Sequence, residues 1–330
     1  MRSARVAGLL LVLGLMAIPA TAIDPKYLPP NSEAAVTINI KQLLESEVVK
    51  SKKEMLDAGK KTLNDKMKES GLKSYFDKAG IDLFRDIHTI TVSSDGSKAV
   101  DAMFIVIEGK FNPEKFVEVA QEAADKDGNK FKVSKQGNAN IFEITPNDDE
   151  KTIHAALIND NLLVAAPTRQ ALDGVIARAS SGRGTGAKGK MKSLLETTNN
   201  KQTLSVVATG AAIAKGLENA PQAPQGDIGA MIQSVEGFAI SITVGKDIQF
   251  QVAVDAADEA SAKDMVGKGN LGLVMVRGMI NQKAQEDAKA QPIADIAKTL
   301  RLTNQGASII LRGNVSAENI ERIFDLIPQR

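Results

Sequence analysis

Apolar and polar residues alternate over Ala35–Ile40 (AVTINI), with Val36, Ile38 and Ile40 on one side, and this predicts a strand. From Lys41 to Ser70 the period lengthens. Leu44, Val48, Met55, Leu56, Leu63 and Met67 fall roughly along one side of a long charged helix. Gly71 and Gly80 bracket a short helical connector. Strands follow at Ile87–Val92 and Met103–Ile107, joined through Ser93-Ser94-Asp95-Gly96. Asn112-Pro113-Glu114 then opens a helix, Asn as cap and Pro in the first turn, carrying Phe116, Val117 and Ala120. Two hairpins come next: Phe131–Val133 with Asn140–Ile144 around Gln136-Gly137-Asn138, and Ile153–Ile158 with Leu162–Ala166 around Asn159-Asp160-Asn161. A helix over Thr168–Ala179 closes this stretch.

Ser180–Lys190 (SSGRGTGAKGK) has no apolar periodicity, and residues 182–190 read as a Gly/Ser/Lys-rich linker. Beyond it the pattern starts again. Thr203–Ala208 alternates as a strand, Ala211–Asn219 is a short helix and Pro221–Gly226 (PQAPQG) a loop. Phe238–Val244 and Ile248–Val254 pair across Gly245-Lys246-Asp247, a helix starts at Asp258-Glu259, and Leu300–Thr303 pairs with Ala307–Leu311 around Gln305-Gly306. A helix over Ser316–Ile327 ends at Pro328. The two stretches, 23–181 and 191–330, share an order of strand, helix, hairpin, helix, hairpin. Their clearest residue match sets Lys135–Ile141 against Asn304–Ile309. The expected class is α+β: two related halves, each a mainly antiparallel sheet with helices packed on one face. Whether the halves share a sheet is left open.

The N-terminus carries an address. Arg2 and Arg5 precede an unbroken apolar run, Val6–Ile18, then Pro19 and the small residues Ala20-Thr21-Ala22. This is the pattern of a cleavable secretory signal peptide over residues 1–22, with the mature chain starting at Ile23. The run is too short to span a bilayer as a helix, and no cysteine follows it to accept a lipid. The expected product is a periplasmic or secreted protein without an integral membrane segment.

Composition narrows the chemistry. The 330 residues carry a formal charge of +1, which gives no electrostatic footprint for nucleic acid or an anionic membrane. Zero cysteines exclude disulfides, thiolate nucleophiles and cysteine metal sites. Tryptophan is absent, aromatics make up 4%, and two histidines leave few groups for acid–base work. No set of residues forms a catalytic, cofactor or metal site.

Motifs that invite a function each lack their context. Gly184-Thr185-Gly186-Ala187-Lys188-Gly189 is a formal dinucleotide fingerprint, and Gly184 to Lys190 nearly a phosphate loop, but Met191 replaces the magnesium-binding hydroxyl and a helix precedes it. Asp125-Lys126-Asp127-Gly128-Asn129 copies the start of a calcium loop, then fails at Lys130 and Gln136. Asn147-Asp148-Asp149-Glu150 reads as a solvated turn, and Ser180-Ser181 has no strand before it. His88 and His154 sit on strands without partners at ligand spacing. Leu271, Val274, Met275 and Met279 recur at helical spacing, as core residues do. The glycines at 267, 269, 272 and 278 weaken the helix around them, marking a mobile element or an apolar groove.

The segments Leu28–Val36 (LPPNSEAAV), Asp86–Val92 (DIHTITV) and Asn161–Pro167 (NLLVAAP) resemble those of a family of uncharacterised secreted bacterial proteins of planctomycete type. The resemblance covers the mature chain. It implies export and a two-repeat α+β plan, and brings no activity with it. The functional expectation is an exported, non-catalytic binding or interaction protein of the cell envelope. The alternatives are a carrier holding an amphiphile near Leu271–Ile280, and a hydrolase using His88 or His154 with a carboxylate.

Overall fold

The structure, a computed structural model, describes residues 23–69, 72–97, 103–126, 128, 130–145, 151–181, 186–198, 201–218 and 234–326. The expected signal peptide, the acidic run 147–150 and the loop 221–226 lie outside them.

The opening alternation forms β1 (Ala34–Asn39). Asn39 ends it by accepting a hydrogen bond from the Gln42 N–H at 2.9 Å, which caps α1 (Ile40–Glu45). The single charged helix expected over 41–70 is divided into α1, α2 (Glu47–Ser51) and α3 (Lys53–Glu69). Ser46 makes the first break. Its backbone is extended, and its hydroxyl accepts from the Val49 N–H to start α2. A serine that can bond its own backbone competes with the helix, and the apolar spacing alone does not register that. Lys52, outside the helical region, makes the second break.

After α4 (Leu72–Lys78) and α5 (Leu83–Asp86) come β2 (Ile87–Ser94), β3 (Phe104–Gly109), α6 (Pro113–Lys126), the hairpins β4 (Phe131–Gln136)–β5 (Ala139–Ile144) and β6 (Ile153–Asn159)–β7 (Leu162–Ala166), and α7 (Arg169–Ser181). The rest runs α8 (Gly189–Glu196), β8 (Leu204–Thr209), α9 (Gly210–Glu218), β9 (Gly237–Val244), β10 (Ile248–Asp255), α10 (Glu259–Glu286), α11 (Gln291–Thr299), β11 (Arg301–Gln305), β12 (Ser308–Val315) and α12 (Ala317–Leu326).

The twelve strands of the described residues join one antiparallel sheet in the order β11-β12-β10-β9-β8-β1-β2-β3-β7-β6-β5-β4. β1 and β8 adjoin in its interior, Ala34 opposite Ala208 and Ile38 opposite Leu204, so the two stretches of chain share a sheet. The hairpin β11–β12 holds, against β10, the place that β6–β7 holds against β3. Its residues match β4–β5 instead, so sequence likeness and sheet position point to different hairpins.

Helices pack on both faces, where one was expected. The strand period of two separates the cores cleanly. Val106, Ile141, Ala156 and Leu162 face Leu172, Val175 and Ile176 of α7 and Met191, Leu194 and Leu195 of α8. Their neighbours Ile107, Phe142, Leu157 and Leu163 face the other way, into a second core with Phe116, Val117 and Ala120 of α6. At the sheet centre the usual polarity reverses. Thr37, Thr91, Ser93 and Ser205 are buried, with the Thr37 and Thr91 hydroxyls 2.9 Å apart, while Val36 and Ile38 stay 39% exposed on the α6 side.

The expected linker is partly built into this framework. Gly189 and Lys190 begin α8. Ala187 donates its N–H to the Pro25 carbonyl at 3.0 Å, and a Cβ on Gly186 would fall 1.9 Å from that same oxygen. The N-terminal segment it clasps is held further by Arg178, whose Nε donates to the Lys26 carbonyl at 2.7 Å. Ile23 and Leu28 are buried in the core beneath.

Candidate functional site

The second core does not close. Between α4, α6 and the strands β4–β7 lies a cavity of about 270 Å³. Its wall is built from Tyr75 and Phe76 of α4, Phe116 of α6, Phe131 and Phe142 of the outer hairpin, and Leu163 of β7. Five of the chain's twelve aromatic residues therefore converge on one space, against an overall scarcity that argued against aromatic sites. The rings do not stack into a plug: Tyr75 and Phe131 lie 6.1 Å apart at 34°, Phe116 and Phe142 5.2 Å apart at 48°. Small residues on the facing surfaces, Ala120 and Ala123 of α6 and Ala155 of β6, leave the gap between them. Lys132 is the one charged residue of the lining. Strand alternation sends its side chain to the opposite face, where its partner across the hairpin is Glu143.

Charge gathers beside this cavity. Lys78, at the end of α4, and Lys126, at the end of α6, both donate to Glu122 at 2.6 Å. Lys126 and Lys78 together hold the Glu122 carboxyl down at about 2. Two ammonium groups on one carboxylate leave a positive charge over, and Tyr75 lies within electrostatic reach of Lys126.

A larger, open polar cleft of about 640 Å³ collects His88, Glu108, Glu45, Lys41, Thr89 and Tyr27 at the end of β2 and β3. Desolvation, with Lys41 and Lys110 nearby, lowers the His88 pKa. Burial raises that of Glu108, as does the Asp24 charge, against a hydrogen bond to Thr89. Both shifts favour the neutral forms. The His88 side chain makes no hydrogen bond among the described residues.

His154 lies elsewhere, its Nδ1 buried without a hydrogen bond and 3.8 Å from Glu143, beyond hydrogen-bond reach. Glu143 is engaged instead by Arg169, which also binds Asp173 and Gln136. The two histidines are thus in separate places, and among the described residues neither is hydrogen-bonded to a hydroxyl nucleophile.

The stripe of Leu271, Val274, Met275 and Met279 is neither core nor a groove wall. α10 runs through its glycines for 28 residues, capped by Asp258, and presents these side chains outward, Leu271 at 70% and Met275 at 69% exposure. Gly269 explains part of the composition. A Cβ there would come 2.4 Å from the Leu302 side chain, so glycine lets the helix approach the sheet. Arg277, the one charge within residues 269–282, turns inward to the Ala297 carbonyl at 2.9 Å.

The remaining motifs take ordinary places. Gly184 and Thr185 lie outside the described residues, and α7, a helix, precedes them. Asp125 and Lys126 end α6, while Asp127 and Asn129 are also outside. Ser180 bonds the Ile176 carbonyl within α7. Among the described residues no cluster of three or more His, Asp or Glu side chains is arranged to hold a metal, and no helix is long and apolar enough to cross a membrane. No known protein family, curated protein or solved structure matches this chain.

Proposed function

We propose that this is an exported, non-catalytic binding protein, and that its ligand is an amphiphile whose apolar chain enters the cavity beneath α6. The cavity carries the reading. A space lined by aromatic and aliphatic side chains offers water no hydrogen bonds, and smaller voids of that kind stay dry and take up apolar guests. The place differs from the Leu271–Ile280 region where the helical stripe suggested a groove. Export rests on the sequence pattern of residues 1–22. A repeat plan is supported by the central pairing of β1 with β8. Titration with a hydrophobic fluorescent dye tests the binding claim. Saturable binding at one site, displaced by a long-chain alcohol, is the expected result, and an absence of enhancement contradicts it. N-terminal sequencing of protein recovered outside the cytoplasm should begin at Ile23, and a chain that retains residues 1–22 there would count against cleavage.

A second reading, docking of an envelope component, is favoured by the uncharged stripe on α10. Contiguous exposed apolar surface of this kind marks interaction sites. Capture of envelope material by the wild-type chain, lost in Met275→Asp, supports it. Equal capture by both, or none, does not.

A further inference from the structure

We infer that the cavity takes a single-chain amphiphile with an anionic head, the tail lying among Phe76, Phe116 and Phe142 and the head outside Tyr75, beside Lys126 and Lys78. This rests on the carrier reading above and adds the ligand's chemistry to it.

The volume limits the tail. About 270 Å³ equals the share of roughly nine liquid waters at ~30 Å³ each. A comparable number of methylenes fits, which is one medium chain and not two. A diacyl lipid would leave its second chain in water, so a fatty acid or a lysolipid suits the space better. The wall also selects. It has no polar side chain facing inward to bind a head group, so the polar end must stay at the mouth.

Charge selects the head. Tyr75 is half out of the cavity, at 42% exposure, its ring tilted against that of Phe131. Lys126 on α6 lies within electrostatic reach of Tyr75, and Lys78 on α4 shares with Lys126 the single carboxylate of Glu122. A carboxylate or phosphate at the mouth would meet the uncompensated charge of this pair of lysines. The same Lys78–Glu122 bridge ties α4 to α6, the two helices between which a ligand passes.

The experiment compares dodecanoate and dodecanol by isothermal titration or dye displacement, on the intact chain and two variants. On the wild type, dodecanoate should bind about fivefold tighter than dodecanol, the scale of one exposed charge interaction. Lys126→Glu should abolish that preference by weakening dodecanoate. Ala120→Leu, whose three added carbons take up about a third of the cavity, should weaken both ligands at least tenfold. If neither binds, the carrier reading itself fails. If both bind equally and Lys126→Glu changes nothing, the cavity binds chains but the anionic head is wrong. If a diacyl phosphatidylglycerol displaces dodecanoate as readily as a lysolipid, the single-chain limit is overturned.

Discussion

Replacing Ala120 by leucine tests whether the space beneath α6 is open in the unliganded protein. Ala120 lies on α6 at the cavity wall, and leucine is nearly as good a helix former, so the backbone is little affected. The change adds three carbons to a space of about 270 Å³. At about 0.8 kcal/mol per buried methylene, the ceiling is ~2.4 kcal/mol. Ordering the leucine side chain takes back about 0.5–1 kcal/mol. The expected result is a protein about 1–2 kcal/mol more stable. Urea denaturation should show a higher midpoint at an unchanged slope, because the exposed surface on unfolding hardly changes. A lower midpoint, corresponding to a loss of ~1 kcal/mol or more in stability, would mean that the leucine is overpacked and the space is not free.

Gly186→Ala should destabilise by about 1–3 kcal/mol, the usual range for overpacking, since its Cβ would sit 1.9 Å from the Pro25 carbonyl oxygen. Trypsin should then cut faster after Lys26, and unchanged proteolysis would show that the clasp is unimportant. Glu122 should titrate near 2 in the folded protein by NMR, against an ordinary value of 4.5. Because the folded value is lowered, its contribution to stability is present above about pH 4.5 and is lost as pH falls through about 2. Lys126→Ala should move that midpoint upward, and a wild-type midpoint near 4.5 would remove the lysine clamp. Glu108 behaves in the opposite sense. Its pKa is raised by burial, so the fold favours the protonated form, and its contribution is fullest below the ordinary carboxyl range and is lost as pH rises through the folded value. Glu108→Gln should therefore raise the denaturation midpoint at pH 7 and leave it unchanged near pH 3. A lower midpoint at pH 7 would show the carboxylate making an attractive contact there.

Local features of the fold were legible in the sequence because local chemistry decides them. Gly137 and Gly306 each take the first loop position of a two-residue hairpin at φ 58°, followed by a residue at negative φ, as a type II′ turn requires. Asn112 donates no information beyond its neighbourhood, yet it caps α6 by accepting from the Lys115 N–H at 3.1 Å, as expected. What depends on distant partners was not legible. Alternation placed Val36 and Ile38 together but not on the less buried side, because the covering of each face is decided by α7, α8 and the N-terminal clasp. Helical spacing in α10 identified a coherent face, but the same spacing serves core and surface alike, and only its packing on β11 and β12 shows which side turns outward. The cavity was least visible of all. Phe76, Phe116, Phe131 and Phe142 come from four elements, and each looked like an ordinary core residue in its own segment. The only available signal was the concentration of scarce aromatics between residues 75 and 142.

Native mass spectrometry of the protein purified from its own envelope, without detergent, tests the binding claim most directly. The expected spectrum shows a mature-chain mass accompanied by an adduct of single-chain amphiphile size, at one per protein, that is depleted in Ala120→Leu. A clean unliganded mass in both proteins, together with no binding of a hydrophobic dye, would contradict it.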